Sequence, residues 1–110
     1  MADEITLRIN PAPEYDVSVD IATPGAPPQK LIVRYRYKPK QAALDWLREV
    51  KDRPPGTEVD TLAEIIAGWD GVDVPYSRDN LALLLDNYHT AVNDLLIGYL
   101  SSLRGARAGN

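Results

Sequence analysis

His89 is the single imidazole of the chain, and it stands between Tyr88 and Thr90 with Asp86 and Asp94 nearby. A histidine among carboxylates has the make-up of a general base, but that work requires a nucleophile and a third group to orient the ring. The serines occupy positions 18, 77, 101 and 102, and none sits in a nucleophile-elbow sequence. His89 therefore reads as a surface residue in the turn between two helices. There is no cysteine, which removes disulfides, thiolate metal sites and cysteine nucleophiles together. One histidine and scattered aspartates make no zinc cluster, and Asp70-Gly71-Val72-Asp73 lacks the spaced ligands of a calcium loop. The seven glycines form neither a Walker nor a dinucleotide pattern. The expectation is a protein that is not an enzyme, with no catalytic residues, no cofactor and no metal.

A second set of chemistry-bearing residues is the basic, tyrosine-bearing strand Lys30 to Lys40. Nucleic-acid strands combine cations with stacking rings, so a small nucleic-acid-binding regulator is the alternative function. Strand alternation, however, sends Arg34, Arg36 and Lys38 to one face and Tyr35 and Tyr37 to the other, so a base on Tyr35 would leave its phosphate away from Arg34. Cross-strand pairing of Arg34 and Arg36 with Asp16 and Asp20, with the tyrosines on a core face, is the favoured account. Twelve Lys plus Arg against sixteen Asp plus Glu give a formal charge of −4, which also excludes a dominant basic field for nucleic acid or anionic membrane.

The third set is an apolar and aromatic surplus. Trp46, Trp69, Tyr76, Tyr88 and Tyr99 are large anchors for 110 residues, and Leu81 to Leu85 reads Leu-Ala-Leu-Leu-Leu, apolar around more than one stripe. Such helices must be covered either within the chain or by a partner or second copy.

The elements that position these residues fall into two differently patterned parts. Up to residue 38 apolar residues recur every second position, the period of a strand with one face on a core. Three runs show it: Ile5, Leu7 and Ile9; Tyr15, Val17, Val19 and Ile21; Leu31, Val33, Tyr35 and Tyr37. Asn10, Pro11 and Pro13 separate the first two, and a nine-residue connection rich in proline joins Ile21 to Leu31. From residue 39 to 110 the period is helical. Ala43, Trp46, Leu47 and Val50 form one stripe behind Pro39. Val59, Leu62, Ile65, Ile66 and Trp69 form a second behind a Thr57 and Asp60 cap, with Gly68 at its fraying end. Ser77 caps a third helix carrying Leu81, Leu84, Leu85 and Tyr88. Thr90 caps a fourth carrying Val92, Leu95, Leu96, Tyr99, Leu100 and Leu103, which Gly105 closes. The expected fold is α+β in a single domain over 1–110: a small antiparallel sheet of two or three strands at the N-terminus, then about four helices. No run approaches the roughly 20 apolar residues of a membrane span, and Met-Ala-Asp-Glu lacks the regions of a signal peptide, so a cytoplasmic protein without membrane contact is expected.

The run Ile65-Ile66-Ala67-Gly68-Trp69-Asp70-Gly71-Val72, then Val74-Pro75-Tyr76-Ser77, Asn80-Leu81 and Leu84-Leu85, with Gly105-Ala106-Arg107 and Asn110 at the end, resembles the tail assembly chaperones of long-tailed bacteriophages and their prophages. The likeness covers about Thr57 to Asn110, and the N-terminal part only in its layout of strands before helices. One departure is the short turn between Val72 and Pro75, where such proteins often carry a longer acidic loop. Each motif residue also has a packing role: Trp69 folds back on the core, Gly71 permits a positive φ, Pro75 fixes the approach and Ser77 caps the next helix. The resemblance implies a non-enzymatic assembly factor of the bacterial host cytoplasm. It would bind the long, helical tape measure protein, keep it soluble until tail-tube subunits replace it, and self-associate as a homo-oligomer. The apolar stripes of the C-terminal helical pair place the expected capture surface around Leu84, Tyr88, Leu96 and Tyr99, with Trp69 and Tyr76 as further partner-binding anchors.

Overall fold

The computed structural model describes residues 6–105. Along the chain run β1 (Glu14–Thr23), β2 (Ala26–Arg36), α1 (Lys40–Lys51), α2 (Glu58–Ile65), β3 (Ile66–Asp70), α3 (Arg78–Asn87) and α4 (Ala91–Leu103). β2 is the central strand, antiparallel to β1 on one side and to β3 on the other. The arrangement is α+β, a three-stranded antiparallel sheet with four helices, as the two periodicities predict.

The alternation along β1 and β2 sets their register, because a slip of one residue would invert both faces. Tyr15 lies opposite Tyr35, Val17 opposite Val33 and Val19 opposite Leu31. These residues face the helices. On the other face Arg34 meets Asp16 at 3.2 Å and Lys30 meets Asp20 at 3.8 Å. The expected partner of Asp20 was an arginine; Arg36 instead lies opposite Glu14 at the far end of the strand, and its guanidinium donates to the carbonyls of Ala63 and Ile66, each at 3.0 Å.

Three expectations are corrected. Of the first alternating run, Ile5 lies outside the described residues, and residues 6–13 form no strand. Pro11 and Pro13 lack the N–H groups a ladder needs, and Leu7 and Ile9 are left 86% and 85% exposed. The third strand is β3 instead, where a helix was expected to continue to Trp69. Two adjacent β-branched residues and Gly68 weaken the helix there, while the free side of β2 supplies a ladder from Ile32 to Tyr35 and Arg36 satisfies carbonyls at the helix end. Finally, the nine-residue connection shrinks to the turn Pro24-Gly25, with Gly25 at φ +69°. Pro27 and Pro28 are tolerated inside β2 because that stretch has a strand on one side only.

One hydrophobic cluster draws on every element, from Val19, Val33 and Tyr35 through Trp46, Leu62 and Ile66 to Leu81, Leu95 and Tyr99. α4 packs on the sheet along β1: the Tyr35 hydroxyl donates to the Leu95 carbonyl at 2.7 Å and the Tyr99 hydroxyl to the Arg36 carbonyl at 2.8 Å. α1 and α2 are bracketed by Glu64, which accepts from Arg53 at 2.9 Å and from the Trp46 indole at 2.8 Å. Ser77 caps α3 as expected, accepting the Asn80 N–H at 3.0 Å. Thr57 and Thr90 occupy N-cap positions without capping through their side chains; Thr57 donates to the Pro54 carbonyl and Thr90 to the Asp94 carboxylate.

Candidate functional site

The β3 ladder sets Trp69 opposite Val33, on the core face at the rim of the sheet. From there the indole N–H donates to the Val74 carbonyl at 2.9 Å, tying off a turn that Gly71 makes at φ +81°. The Trp69 ring meets Tyr76 edge-on, 5.2 Å between centroids, and the Tyr76 hydroxyl donates to the Ile66 carbonyl at 3.2 Å. Burial raises the pKa of that hydroxyl, keeping it a donor. Asn80 donates its side-chain amide to the Pro75 carbonyl at 2.8 Å. Residues 69–80 thus form a hydrogen-bonded bracket that leads from β3 into α3.

Between the bracket, the hairpin end of the sheet and α3 lies an open groove of about 520 Å³. Its walls are Ile21 and Leu31 from the strands, Trp69, Val72 and Val74 from the bracket, and Leu83, Leu84 and Tyr88 from α3. Lys30, Asp73, Asn80 and Asn87 supply a polar rim. Leu83 is 57% exposed, Val74 is 39% exposed, and both belong to this groove. Gln29 donates to the Tyr88 hydroxyl at 3.3 Å, linking the end of α3 to β2. An apolar interior with a few polar groups around it is the make-up of a binding surface for an apolar segment.

Of the six residues expected to bind a partner, Trp69, Leu84 and Tyr88 come together in this groove, and Tyr76 stands behind Trp69 as its support. Leu96 lies elsewhere, in a smaller groove of about 320 Å³ with Val50, Pro54 and Val92. Tyr99 is wholly buried, its ring 5.1 Å from Tyr35 and 5.9 Å from Trp46. It offers no surface to a partner, because α4 turns that side toward the sheet. Leu83 and Val74 were not singled out. The signal for Leu83 was present in the Leu81 to Leu85 run: Leu81 is fully buried, and consecutive leucines on one helix cannot all share its direction.

The basic strand sends its rings and cations to different surroundings, with Tyr37 half-buried just past the end of β2. Tyr35 is completely buried, Arg34 is paired with Asp16, and Arg36 is engaged with backbone carbonyls. His89 is exposed in the turn between α3 and α4. Among the described residues no group of three or more His, Asp or Glu is placed to hold a metal ion, and no helix is long and apolar enough to cross a membrane.

No curated protein and no solved structure matches the chain. The family model described as phage tail assembly chaperone matches residues 1–110. With the match running the whole length of the sequence and through the bracket that builds the groove, the chain belongs to the phage tail assembly chaperone family.

Proposed function

We propose that this protein, acting in the bacterial cytoplasm and without catalysis, binds apolar helical segments of the tape measure protein and keeps that client soluble while the tail is assembled. The observation that carries the reading is the α3 groove, where an exposed Leu83 and the half-buried Trp69, Leu84 and Tyr88 surround an open apolar space. An amphipathic helix laid in such a groove would bury its own apolar row against these residues. Burying a large apolar side chain fully contributes about 1.5–3 kcal/mol, and these side chains are already partly covered. One groove therefore gives a contact of a few kcal/mol, weak enough to be released when tube subunits compete. Several such contacts along a long client would add through avidity. The net charge of −4 favours client segments with basic flanks.

The test is co-expression of the chain with the tape measure protein of the same phage, reading how much of the client stays in the soluble fraction. Leu83→Asp puts a charge into the groove at a position exposed enough to leave the fold intact, and Tyr88→Ala removes one wall. Both should lower client solubility and pull-down while circular dichroism stays unchanged. Folded variants that protect the client as well as the parent does would end the assignment of this groove.

A further inference from the structure

Among the described residues β1 is an edge strand, and its outer side is unpaired. The ladder to β2 begins where the Tyr37 N–H donates to the Pro13 carbonyl at 2.9 Å, so odd-numbered residues of β1 turn their backbone groups to β2. Asp16, Ser18 and Asp20 turn theirs outward. The same alternation aims the Ala22 N–H outward, where the Asp94 carboxylate accepts it at 3.2 Å. Among the described residues nothing does the same for the N–H groups of Asp16, Ser18 and Asp20. An unsatisfied edge of this kind is a template for another strand.

The edge also has an apolar overhang. α4 lies along β1 on one row of residues: Asp94 reaches Ala22, Gly98 comes up to Val19, and Ser102 hydrogen-bonds Tyr15. Leu95 and Tyr99 turn from that row into the core. Helical geometry puts Ile97 on the opposite side of the row, over the unpaired edge, and it is 61% exposed.

The chain contains a strand-like segment that none of the described residues covers. Thr6-Leu7-Arg8-Ile9-Asn10 alternates with the period of a strand, and Leu7 and Ile9 are almost fully exposed. We propose that these residues add as an outer strand to β1 of a second copy of this chain. Leu7 and Ile9 would then lie beneath Ile97, and Arg8 on the opposite face beside the half-exposed carboxylates of Asp16 and Asp20. Return to its own β1 is opposed by Pro11 and Pro13, which are fixed near φ −65° and hold Asn10 and Ala12 extended. A tight hairpin return uses positive φ, and among the described residues only glycines adopt it. The chain bends at Ile9–Asn10 and again at Pro13, and Leu7 and Ile9 stay exposed rather than pairing with their own β1. A two-fold axis makes the exchange reciprocal, with each arm antiparallel to the other copy's β1. This interface is separate from the α3 groove and stands or falls independently of client binding.

Sedimentation equilibrium of the full chain, compared with the Leu7→Asp, Ile9→Asp double variant, gives the first readout. The parent should form dimers, and the double variant should associate about a hundredfold more weakly or worse, since two apolar contacts per arm are lost. The substitutions lie in an exposed arm, so thermal unfolding compared at dilutions where both chains are monomeric should not move. The absence of cysteine allows a second readout: a chain carrying Ile9→Cys is mixed with a chain carrying Ile97→Cys under mild oxidation. A disulfide-linked pair of unlike chains is the expected product. A monomer at every concentration, a dimer that survives the double aspartate variant, or a monomeric internal disulfide when both cysteines are in one chain would each overturn the proposal.

Discussion

Replacing Gly98 by alanine probes how closely α4 lies on the sheet. An added methyl would stand 3.0 Å from the Tyr35 hydroxyl oxygen and 3.1 Å from a Val19 methyl, both tighter than ordinary contact. Neither neighbour has room to retreat. Tyr35 is fully buried, donates to the Leu95 carbonyl at 2.7 Å, and has its ring held between Tyr15 and Tyr99 at 6.2 and 5.1 Å. Val19 is buried and stiff about its first torsion. Overpacking a core costs about 1–3 kcal/mol, whereas exchanging glycine for alanine inside a helix contributes about 1 kcal/mol in the other direction. Gly98→Ala should therefore destabilise by about 0–2 kcal/mol, where an unhindered site would gain about 1 kcal/mol. Tyr35→Phe identifies the cause. It removes the nearer contact at the expense of a hydrogen bond worth about 1 kcal/mol. In that background Gly98→Ala should do less damage, by about 1 kcal/mol. Urea unfolding of the four variants with a constant m-value is the assay. Gly98→Ala that stabilises the parent by the full helix increment, or that has the same effect in both backgrounds, would refute the packing argument.

Two further perturbations test the supports of the fold. The Arg53 guanidinium, with the Trp46 indole N–H, holds the Glu64 carboxyl below the ordinary carboxylate range against its own desolvation. Because the folded value is the lower one, this contribution is complete above the unfolded carboxylate pKa and fades as pH falls toward the folded value. Glu64→Gln should accordingly flatten the acid limb of the stability profile measured by urea midpoints from neutral to acid pH. An unchanged acid limb would show that the link from Glu64 to Arg53 and Trp46 does not depend on that charge. Ser77→Ala removes the acceptor for the Asn80 N–H and should cost about 1 kcal/mol in the same assay. A change within a few tenths of zero would mean that the helix start is held by the bracket alone.

The parts of the fold legible in the sequence are those where local period and tertiary surroundings agree. Period two in Tyr15 to Ile21 and Leu31 to Tyr37 gives β1 and β2 with their faces, and the helical stripes behind Pro39, Ser77 and Thr90 give α1, α3 and α4. β3 was hidden because Leu62, Ile65, Ile66 and Trp69 fall at i, i+3, i+4 and i+7, a helical spacing that the strand pairing overrides. The arm was misread for the opposite reason: Leu7 and Ile9 alternate correctly, but the prolines that follow detach them from the sheet. Of the six residues expected to bind a partner, three share the candidate groove. Trp69, Leu84 and Tyr88 meet in one groove, whereas Leu96 and Tyr99 do not join them. An apolar stripe marks a helix side as wanting cover without saying which neighbour supplies it. For Tyr99 the supplier is the sheet, and Gly98 beside it lets α4 come close enough to bury the ring.

The misread strand and the groove have one physical cause. Had α2 run on to Trp69, the indole would lie along that helix one turn beyond Ile65, and the free side of β2 would be left without a ladder. The switch to strand at Ile66 instead sets Trp69 opposite Val33 and brings Gly71 alongside the Leu31 backbone. The chain then has to cross the hairpin end before α3 can begin at Ser77. That crossing leaves α3 with Leu81 in the core but Leu83 beyond it, facing open space with Leu84 and Tyr88. A continuous helix would satisfy the local apolar spacing but remove the bracket on which the groove depends. The conflict between local helical spacing and the observed strand therefore lies in the segment that gives the groove its wall, and the ladder along β2 is what resolves it.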